Sequence, residues 1–135
     1  MKLGIICDGI SRDLSYALNI MDEFELEYAE LQFVGDTEVG DHSAQEIKEI
    51  DLLLRDRGKP VSCLSRHIFA GMTTDNLAGD DLHTKHMDAL KRVIAMAHVV
   101  DSPLVRIMTP KKEQILWGSN GAEKWNVANG AWEKM

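Results

Sequence analysis

The sequence predicts an α/β fold in which parallel strands alternate with helices. Short apolar runs alternate with longer segments whose apolar residues recur at helical spacing, and this alternation occurs four times. The runs are too uniformly apolar for half-exposed hairpin strands, which favours a parallel sheet joined by right-handed crossover helices. Because the chain has 135 residues, we expect a single domain of about four β/α units.

The individual elements carry recognisable boundaries. The predicted strands cover residues 3–7, 28–34, 61–65 and 104–108. The predicted helices cover residues 11–24, 43–57, 82–100 and 122–135. Ser11 is the N-cap candidate of the first helix, while Ser43 and Glu46 form a capping box at the start of the second. The fourth helix is predicted from apolar residues at helical spacing, namely Trp125, Ala128 and Trp132.

Two long connections indicate where a functional site lies. Residues 66–81 and 111–121 follow the third and fourth predicted strands. Two architectures fit the order of elements: an open doubly wound sheet and the first half of a (β/α)₈ barrel, the TIM barrel. Both bind ligands at the carboxyl ends of their strands. We therefore expect functional residues at that edge of the sheet.

The predicted fourth helix has no glycine cap, no proline stop and no strand after it. Four units are half of an eight-unit barrel, and half a barrel leaves two unpaired strand edges and one uncovered face of the sheet. We expect the fold to be incomplete as it stands. Either the chain is part of a longer sequence or it completes its core by self-association, for example as a dimer of half-barrels.

The composition is that of a globular chain, with 44% hydrophobic and 27% charged residues. Acids outnumber bases by 22 to 15, which disfavours a nucleic-acid partner, and the longest basic run is only Lys111-Lys112. The apolar start of the chain is too short for a signal peptide or a membrane span. Cys7 and Cys63 lie in apolar runs, as buried reduced thiols do. We expect a cytoplasmic protein with no membrane or nucleic-acid partner.

Several segments resemble a known family. They are Lys2-Leu3-Gly4-Ile5 on the first strand, Tyr28-Ala29-Glu30-Leu31-Gln32 on the second, residues 53–61 before the third, Ala95-Met96-Ala97-His98, and Ser102-Pro103-Leu104-Val105-Arg106-Ile107 on the fourth. Together they resemble the N-terminal half of the xylose isomerase-like TIM barrels. That family comprises sugar phosphate isomerases and epimerases, ketose 3-epimerases, hydroxypyruvate isomerases and relatives of the AP endonucleases. The resemblance covers nearly all of the chain and is spread over many positions instead of one motif.

The resemblance implies an enzyme that moves a proton next to the carbonyl of a sugar or sugar phosphate. A divalent metal, Mn²⁺ or Mg²⁺, polarises the substrate oxygens in such enzymes, and a carboxylate takes the proton from carbon. The metal ligands of the family are carboxylates and a histidine at the ends of the later strands, which in this numbering would follow Met135. No catalytic residue and no metal ligand can therefore be assigned in this sequence.

Glu30 and Arg106 are the first two candidates for substrate binding. On the second strand, Tyr28, Glu30 and Gln32 share one face, and a barrel turns that face inward. A carboxylate in the interior needs a partner, and Arg106 on the fourth strand is the natural one. We expect an interior ion pair beneath the site, with a structural role as the alternative to a catalytic one.

Further candidates lie on the connections after strands. His67 follows the third strand and could contact a substrate, or it could be an ordinary polar loop residue. Trp117 could form an apolar wall against a sugar, or it could simply pack. Asp8 could reach a sugar hydroxyl, although acids after a strand commonly form turns. Lys111 and Lys112 could attract a phosphate group.

Other classes of function are less favoured. His83 and His86 lie on one face of the third helix, but barrel helices lie outside the site, so we do not expect them to bind a metal. The main alternative is a non-catalytic, flavodoxin-like domain that binds a small ligand or a protein. Receiver domains of that fold carry an aspartate on the third strand, and this strand ends instead in Ser65-Arg66-His67. A phosphodiesterase similar to the AP endonucleases is disfavoured by the net charge of −7.

Overall fold

The computed structural model describes residues 3–73 and 81–109, and beyond them the backbone of three short strands. In chain order the elements are β1 (Gly4–Ile6), α1 (Leu14–Glu23), β2 (Tyr28–Leu31), β3 (Phe33–Val34), β4 (Thr37–Glu38), α2 (Ala44–Asp56), β5 (Val61–Ser65), α3 (Asp81–Val99), β6 (Val105–Arg106), β7 (Leu116–Trp117), β8 (Glu123–Asn126) and β9 (Ala131–Lys134). A single 3₁₀ turn, Cys7–Gly9, follows β1. The predicted α/β class is confirmed.

The main sheet is parallel, and its strands lie side by side in chain order as β1-β2-β5-β6. Crossovers between parallel strands are right-handed, and here each step moves in the same direction, so the helices fall on one side of the sheet. The core agrees with this arrangement because buried side chains from all three of these helices join one cluster with Ala29, Leu31 and Leu64 of the strands.

The helix boundaries follow from their caps. At α1 the N-cap is Asp13, whose side chain accepts a hydrogen bond from the Tyr16 backbone N–H at 3.1 Å. The expectation that Ser11 caps this helix was wrong: the Ser11 hydroxyl instead accepts from the Asp13 backbone N–H. At α2 the predicted capping box of Ser43 and Glu46 is confirmed, with both of its hydrogen bonds formed.

The predicted second strand is divided in two. Strand β2 ends at Leu31, and the chain then forms an antiparallel hairpin in which β3 pairs with β4. Gly35 adopts a φ of +61° in the turn, a conformation that glycine reaches without steric cost. The hairpin projects from the carboxyl end of β2 and supplies residues that the sequence pattern had not indicated.

The fourth predicted helix does not form. Residues 123–126 and 131–134 are strands β8 and β9, which pair antiparallel with Trp125 opposite Trp132. Tryptophan favours strands, and the sequence Asn129-Gly130 between the two segments is of the kind that favours hairpin connections. The seven-residue separation of the tryptophans suits a helix, but it also suits two paired positions on either side of a turn.

Candidate functional site

The carboxyl edge of the parallel sheet gathers polar side chains from separate elements. His67, two residues after the end of β5, lies against Glu38 of the hairpin: its Nδ1 is 2.8 Å from Glu38 Oε1, and its backbone N–H donates to the same oxygen at 3.0 Å. The side chain of His67 is half exposed, whereas that of Glu38 is 20% exposed. The carboxylate therefore fixes the orientation of an imidazole that solvent, or a ligand, can reach.

Gln32 and Phe33 surround the same imidazole. The side-chain nitrogen of Gln32 lies 3.1 Å from His67 Nε2 and 3.3 Å from Nδ1. If Nδ1 donates its proton to Glu38, Nε2 is left as an acceptor for the Gln32 amide. The ring of Phe33 lies 6.3 Å from the His67 ring, and the guanidinium of Arg12 covers Phe33 at 4.9 Å from its centroid. Hydrogen-bonding groups and an aromatic surface thus lie side by side.

A buried arginine holds this edge together. Arg66 is only 7% exposed and donates to the backbone carbonyl of Val39 and to the carboxylate of Asp41. Its Nε also lies 3.6 Å from Glu38. Asp41 in turn accepts two hydrogen bonds from Arg92 of α3, at 2.9 and 2.7 Å. These contacts connect the hairpin, the end of β5 and α3.

The electrostatics of Asp41 reflect its two cationic partners. Partial burial raises the pKa of Asp41, but the hydrogen bonds and charges of Arg66 and Arg92 outweigh it, so the pKa lies below its ordinary value. Asp41 is therefore ionised at neutral pH and joins the two arginines as an anion. We call Gln32, Glu38, Asp41, Arg66, His67 and Arg92 the edge cluster.

The expected ion pair between Glu30 and Arg106 does not form. Strand β5 lies between the strands that carry these residues, and the Ser65 hydroxyl of β5 donates to Glu30 instead. Arg106 is exposed and lies opposite Ser65 in the register of β5 and β6. The two predicted substrate-binding residues do share one face of the sheet, since Glu30 pairs with Cys63 and alternate positions of a strand face the same way.

The remaining candidates are distributed as follows. Trp117 lies on the short strand β7, opposite Glu123. Asp8 lies in the 3₁₀ turn and accepts a hydrogen bond from the Phe33 backbone N–H at 3.4 Å, in keeping with a turn residue. Lys111 and Lys112 lie outside the described residues. The structure thus brings His67 and Asp8 to the edge that also carries Phe33.

His83 and His86 contact the connection after β5. The ring of Phe69 stacks on His83 at 6.1 Å, and the Phe69 backbone N–H donates to Nδ1 of His86 at 3.1 Å. Within residues 3–73 and 81–109, no three His, Cys, Asp or Glu side chains come together in a way that could hold a metal ion. The described residues therefore do not fit the metal that the family resemblance implies.

Cys7 does not supply a nucleophile at this edge. Burial, followed by the nearby charges of Asp8 and Glu30, raises the pKa of Cys7 to about 12. A thiol with such a pKa remains protonated at neutral pH, which makes it a poor nucleophile. Cys63 is half-buried on the strand face that also carries Ser65, with its sulfur 3.9 Å from the Ser65 hydroxyl.

A cavity of about 300 Å³ lies at the opposite edge of the sheet, where its lining includes Leu54, Lys59, Pro60 and Val100. These residues belong to the ends of helices and to the connection that enters β5. Parallel α/β sheets bind ligands at the carboxyl ends of their strands, so we assign the candidate site to the edge cluster and not to this cavity.

Comparisons with protein-family models, with curated proteins and with solved structures find no match for this chain. Among the described residues, no helix is both long enough and apolar enough to span a bilayer. The site is therefore interpreted from its own geometry.

Five residues of the edge cluster were not predicted from the sequence as site residues: Gln32, Glu38, Asp41, Arg66 and Arg92. One signal was available, because Gly35-Asp36 lies between the short segments Phe33-Val34 and Thr37-Glu38, a pattern typical of a tight hairpin. That pattern would have placed Glu38 beside the carboxyl ends of the strands. The pairing of Asp41 with Arg92, which are 51 residues apart, has no local signal.

Proposed function

We propose that the chain is the opening half of a (β/α)₈ barrel of the xylose isomerase-like kind, and that its edge cluster contributes to a site for a sugar or sugar phosphate. The observation that carries this proposal is the order β1-β2-β5-β6, in which chain order equals spatial order and the helices share one side. A doubly wound, flavodoxin-like sheet reverses its strand order at a switch point. The uninterrupted order favours the barrel.

The chemistry of the edge cluster suits a polyhydroxylated ligand. The Gln32 amide and His67 Nε2 bond to each other, and a pair of neighbouring sugar hydroxyls would replace this contact, one accepting from Gln32 and the other donating to His67. Phe33 provides an apolar surface of the sort that packs against the C–H face of a sugar ring. Glu38 keeps the imidazole in place before the ligand arrives, which reduces the entropy lost on binding.

For the reaction, we propose an aldose–ketose isomerisation, or inversion at the carbon beside a ketose carbonyl. Either reaction moves a proton next to a carbonyl, and the divalent metal of the family would polarise that carbonyl when bound. Because the described residues hold no group that fits the metal, no step is assigned to it here. The contribution proposed for this chain is binding and orientation of the sugar.

Ligand-observed NMR tests the binding proposal. Saturation transfer from the protein to fructose and to fructose 6-phosphate should be detected with the wild-type chain and should fall at least about fivefold with His67→Ala or Gln32→Ala, since each loses a hydrogen bond to a polar ligand. His98→Ala, an exposed position on α3, is the matched control and should leave the transfer unchanged. Equal transfer in the His67 and His98 variants, or none from any sugar, would contradict the proposal.

The reaction class has its own test. A ketose incubated in D₂O with the chain and Mn²⁺ or Mg²⁺ should incorporate deuterium at the carbon beside the carbonyl if proton transfer occurs there, and ¹H NMR measures that exchange directly. Sugar binding without exchange would limit the role of this chain to binding.

A further inference from the structure

The guanidinium of Arg12 lies beside the edge cluster, over the aromatic ring that borders His67. Its central carbon is 4.9 Å from the centroid of the Phe33 ring, and the His67 ring is 6.3 Å from the same centroid. The backbone supports this arrangement, because the Gly35 N–H donates to the Arg12 carbonyl at 2.8 Å and the Phe33 N–H donates to Asp8 at 3.4 Å. The connection after β1 is thereby fastened to the hairpin, with Arg12 at the side of the candidate site.

Most of the hydrogen-bonding capacity of Arg12 is not used by the described residues. A guanidinium carries several N–H donors in one plane. Among residues 3–73 and 81–109, the Arg12 side chain makes a single hydrogen bond, from Nη1 to the Asp36 carboxylate at 3.1 Å. Its side chain is 56% exposed and that of Asp36 is 99% exposed, and ion pairs so exposed contribute little stability. Another anion can therefore replace Asp36 at little cost to the fold.

The other arginines described at this edge are placed differently. Arg66 is buried, and its guanidinium is held by Asp41 and the hairpin. Arg92 is half exposed, but its Nε and Nη2 both donate to Asp41, at 2.9 and 2.7 Å. Arg106 is exposed, but β5 separates its strand from β2, which leads into Phe33. Of these arginines, Arg12 is the one that combines unused donors with a position next to the aromatic ring of the site.

We propose that Arg12 binds the phosphate of a phosphorylated sugar, so that the site selects sugar phosphates over free sugars. A guanidinium binds phosphate through two parallel N–H···O bonds, and a phosphate dianion has more charge and more acceptor oxygens than the Asp36 carboxylate that it displaces. In a hexose 6-phosphate the phosphate lies outside the ring that carries the hydroxyls, so one ligand can contact both groups that flank Phe33. The inference rests on the sugar site proposed above and names its ligand class.

NMR titrations of the ¹⁵N-labelled full chain with fructose and with fructose 6-phosphate test the selection. The wild-type chain should bind fructose 6-phosphate at least about tenfold more tightly than fructose, and Arg12→Gln should remove most of this difference. Arg12→Lys should retain only part of it, because an ammonium group lacks the planar fork. Arg55→Gln is the matched control, since Arg55 is 64% exposed and paired with Asp51 on α2, and it should leave both affinities unchanged.

The Asp36→Asn variant tests the same contact in the opposite direction. Removing the carboxylate that competes for Arg12 should tighten the binding of fructose 6-phosphate by about twofold or more. Asp51→Asn, the same change in the ion pair of Arg55, should not alter it. If Arg12 and Asp36 only fasten the connection to the hairpin, Asp36→Asn will not strengthen binding, and that result would count against the proposal.

The outcomes separate this inference from the proposed function. Equal wild-type affinities for the two ligands would overturn the inference, as would a phosphate preference that survives Arg12→Gln. A preference lost with Arg106→Gln, or with Lys111→Gln and Lys112→Gln, instead of Arg12→Gln would assign the phosphate to another cation. In each of these cases the sugar site still stands if fructose binding depends on His67. Binding of fructose 6-phosphate that depends on Arg12 but not on His67 would leave the phosphate contact and contradict the sugar site, and no binding of either ligand would overturn both.

Discussion

Replacing Gly40 with alanine should destabilise the fold through a collision with α3. Gly40 follows the hairpin, has a φ of +92°, and donates its N–H to the sulfur of Met96 at 3.2 Å. A Cβ at this position would lie 2.8 Å from the backbone nitrogen of Val93 and 2.9 Å from its Cα. Backbone atoms of a helix cannot rotate away, so the loop or the helix has to move.

The loss of stability expected for Gly40→Ala has two parts. A positive φ costs an alanine about 1–2 kcal/mol relative to the ordinary helical region. Overpacking against a fixed neighbour adds about 1–3 kcal/mol. Gly58 isolates the first part, because its φ is +60° and a Cβ there would meet nothing within 4 Å. We therefore expect losses of about 1–2 kcal/mol for Gly58→Ala and about 2–5 kcal/mol for Gly40→Ala.

Urea unfolding followed by circular dichroism at 222 nm measures both variants against the wild-type chain. For a domain of this length, each kcal/mol lowers the melting temperature by about 3–4 °C, so thermal unfolding should separate the two variants clearly. Truncating Val93 to alanine should not rescue Gly40→Ala, since the nearest atoms are backbone. A Gly40→Ala variant no less stable than Gly58→Ala would refute the close approach of the loop to α3.

Two further predictions concern single residues. Glu25 follows α1 with a φ of +54°, and the Leu26 N–H bonds back to the Met21 carbonyl. Because glycine adopts this φ without strain, Glu25→Gly should raise the free energy of unfolding, measured by urea titration, by about 0.5–1 kcal/mol. The control Glu23→Gly, at the end of α1, should lower it. Because the pKa of Asp41 is lowered in the fold, its ionised form stabilises the protein above the unfolded pKa of about 3.9, and this contribution is lost as the pH falls through the lower folded value. The Asp41→Asn variant should therefore have a lower free energy of unfolding than the wild-type chain at pH 7. Between pH 5 and pH 3 the wild-type chain should lose more stability than the variant. Denaturant titrations at these pH values measure both, and an equal loss in the two proteins between pH 5 and pH 3 would contradict the prediction.

The parts of the fold that could be predicted are those with local causes. The capping box of Ser43 and Glu46 and the stop at Gly58 fix α2 from nearby residues alone. Strand β5 covers the predicted residues 61–65 because an apolar run there is bounded by turn residues. The helix predicted for residues 122–135 was wrong because the local signal there is ambiguous. Trp125 and Trp132 fit both a helical period and a hairpin, and periodicity alone cannot decide between them.

The candidate site could be predicted only in part. His67 was identified because a residue shortly after the end of a strand lies at the carboxyl edge whichever way the sheet closes. Its partner Glu38 lies 29 residues earlier, on a hairpin that interrupts the predicted second strand. The pair expected between Glu30 and Arg106 had to reach across a strand that lies between theirs, and that strand, β5, offers the Ser65 hydroxyl to Glu30 instead.

The buried side chain of Arg66 contributes position more than stability at the carboxyl edge of the sheet. A buried guanidinium loses its hydration, and its ion pairs seldom return more than this cost, so the contacts with Asp41 and Glu38 contribute little net stability. What they do provide is position, since one side chain fixes the backbone carbonyl of Val39, the carboxylate that meets α3 and the carboxylate that orients His67. An apolar residue of equal volume would fill the space without directing these groups. If the edge binds a polar ligand as proposed, the arginine holds these groups in place before that ligand arrives.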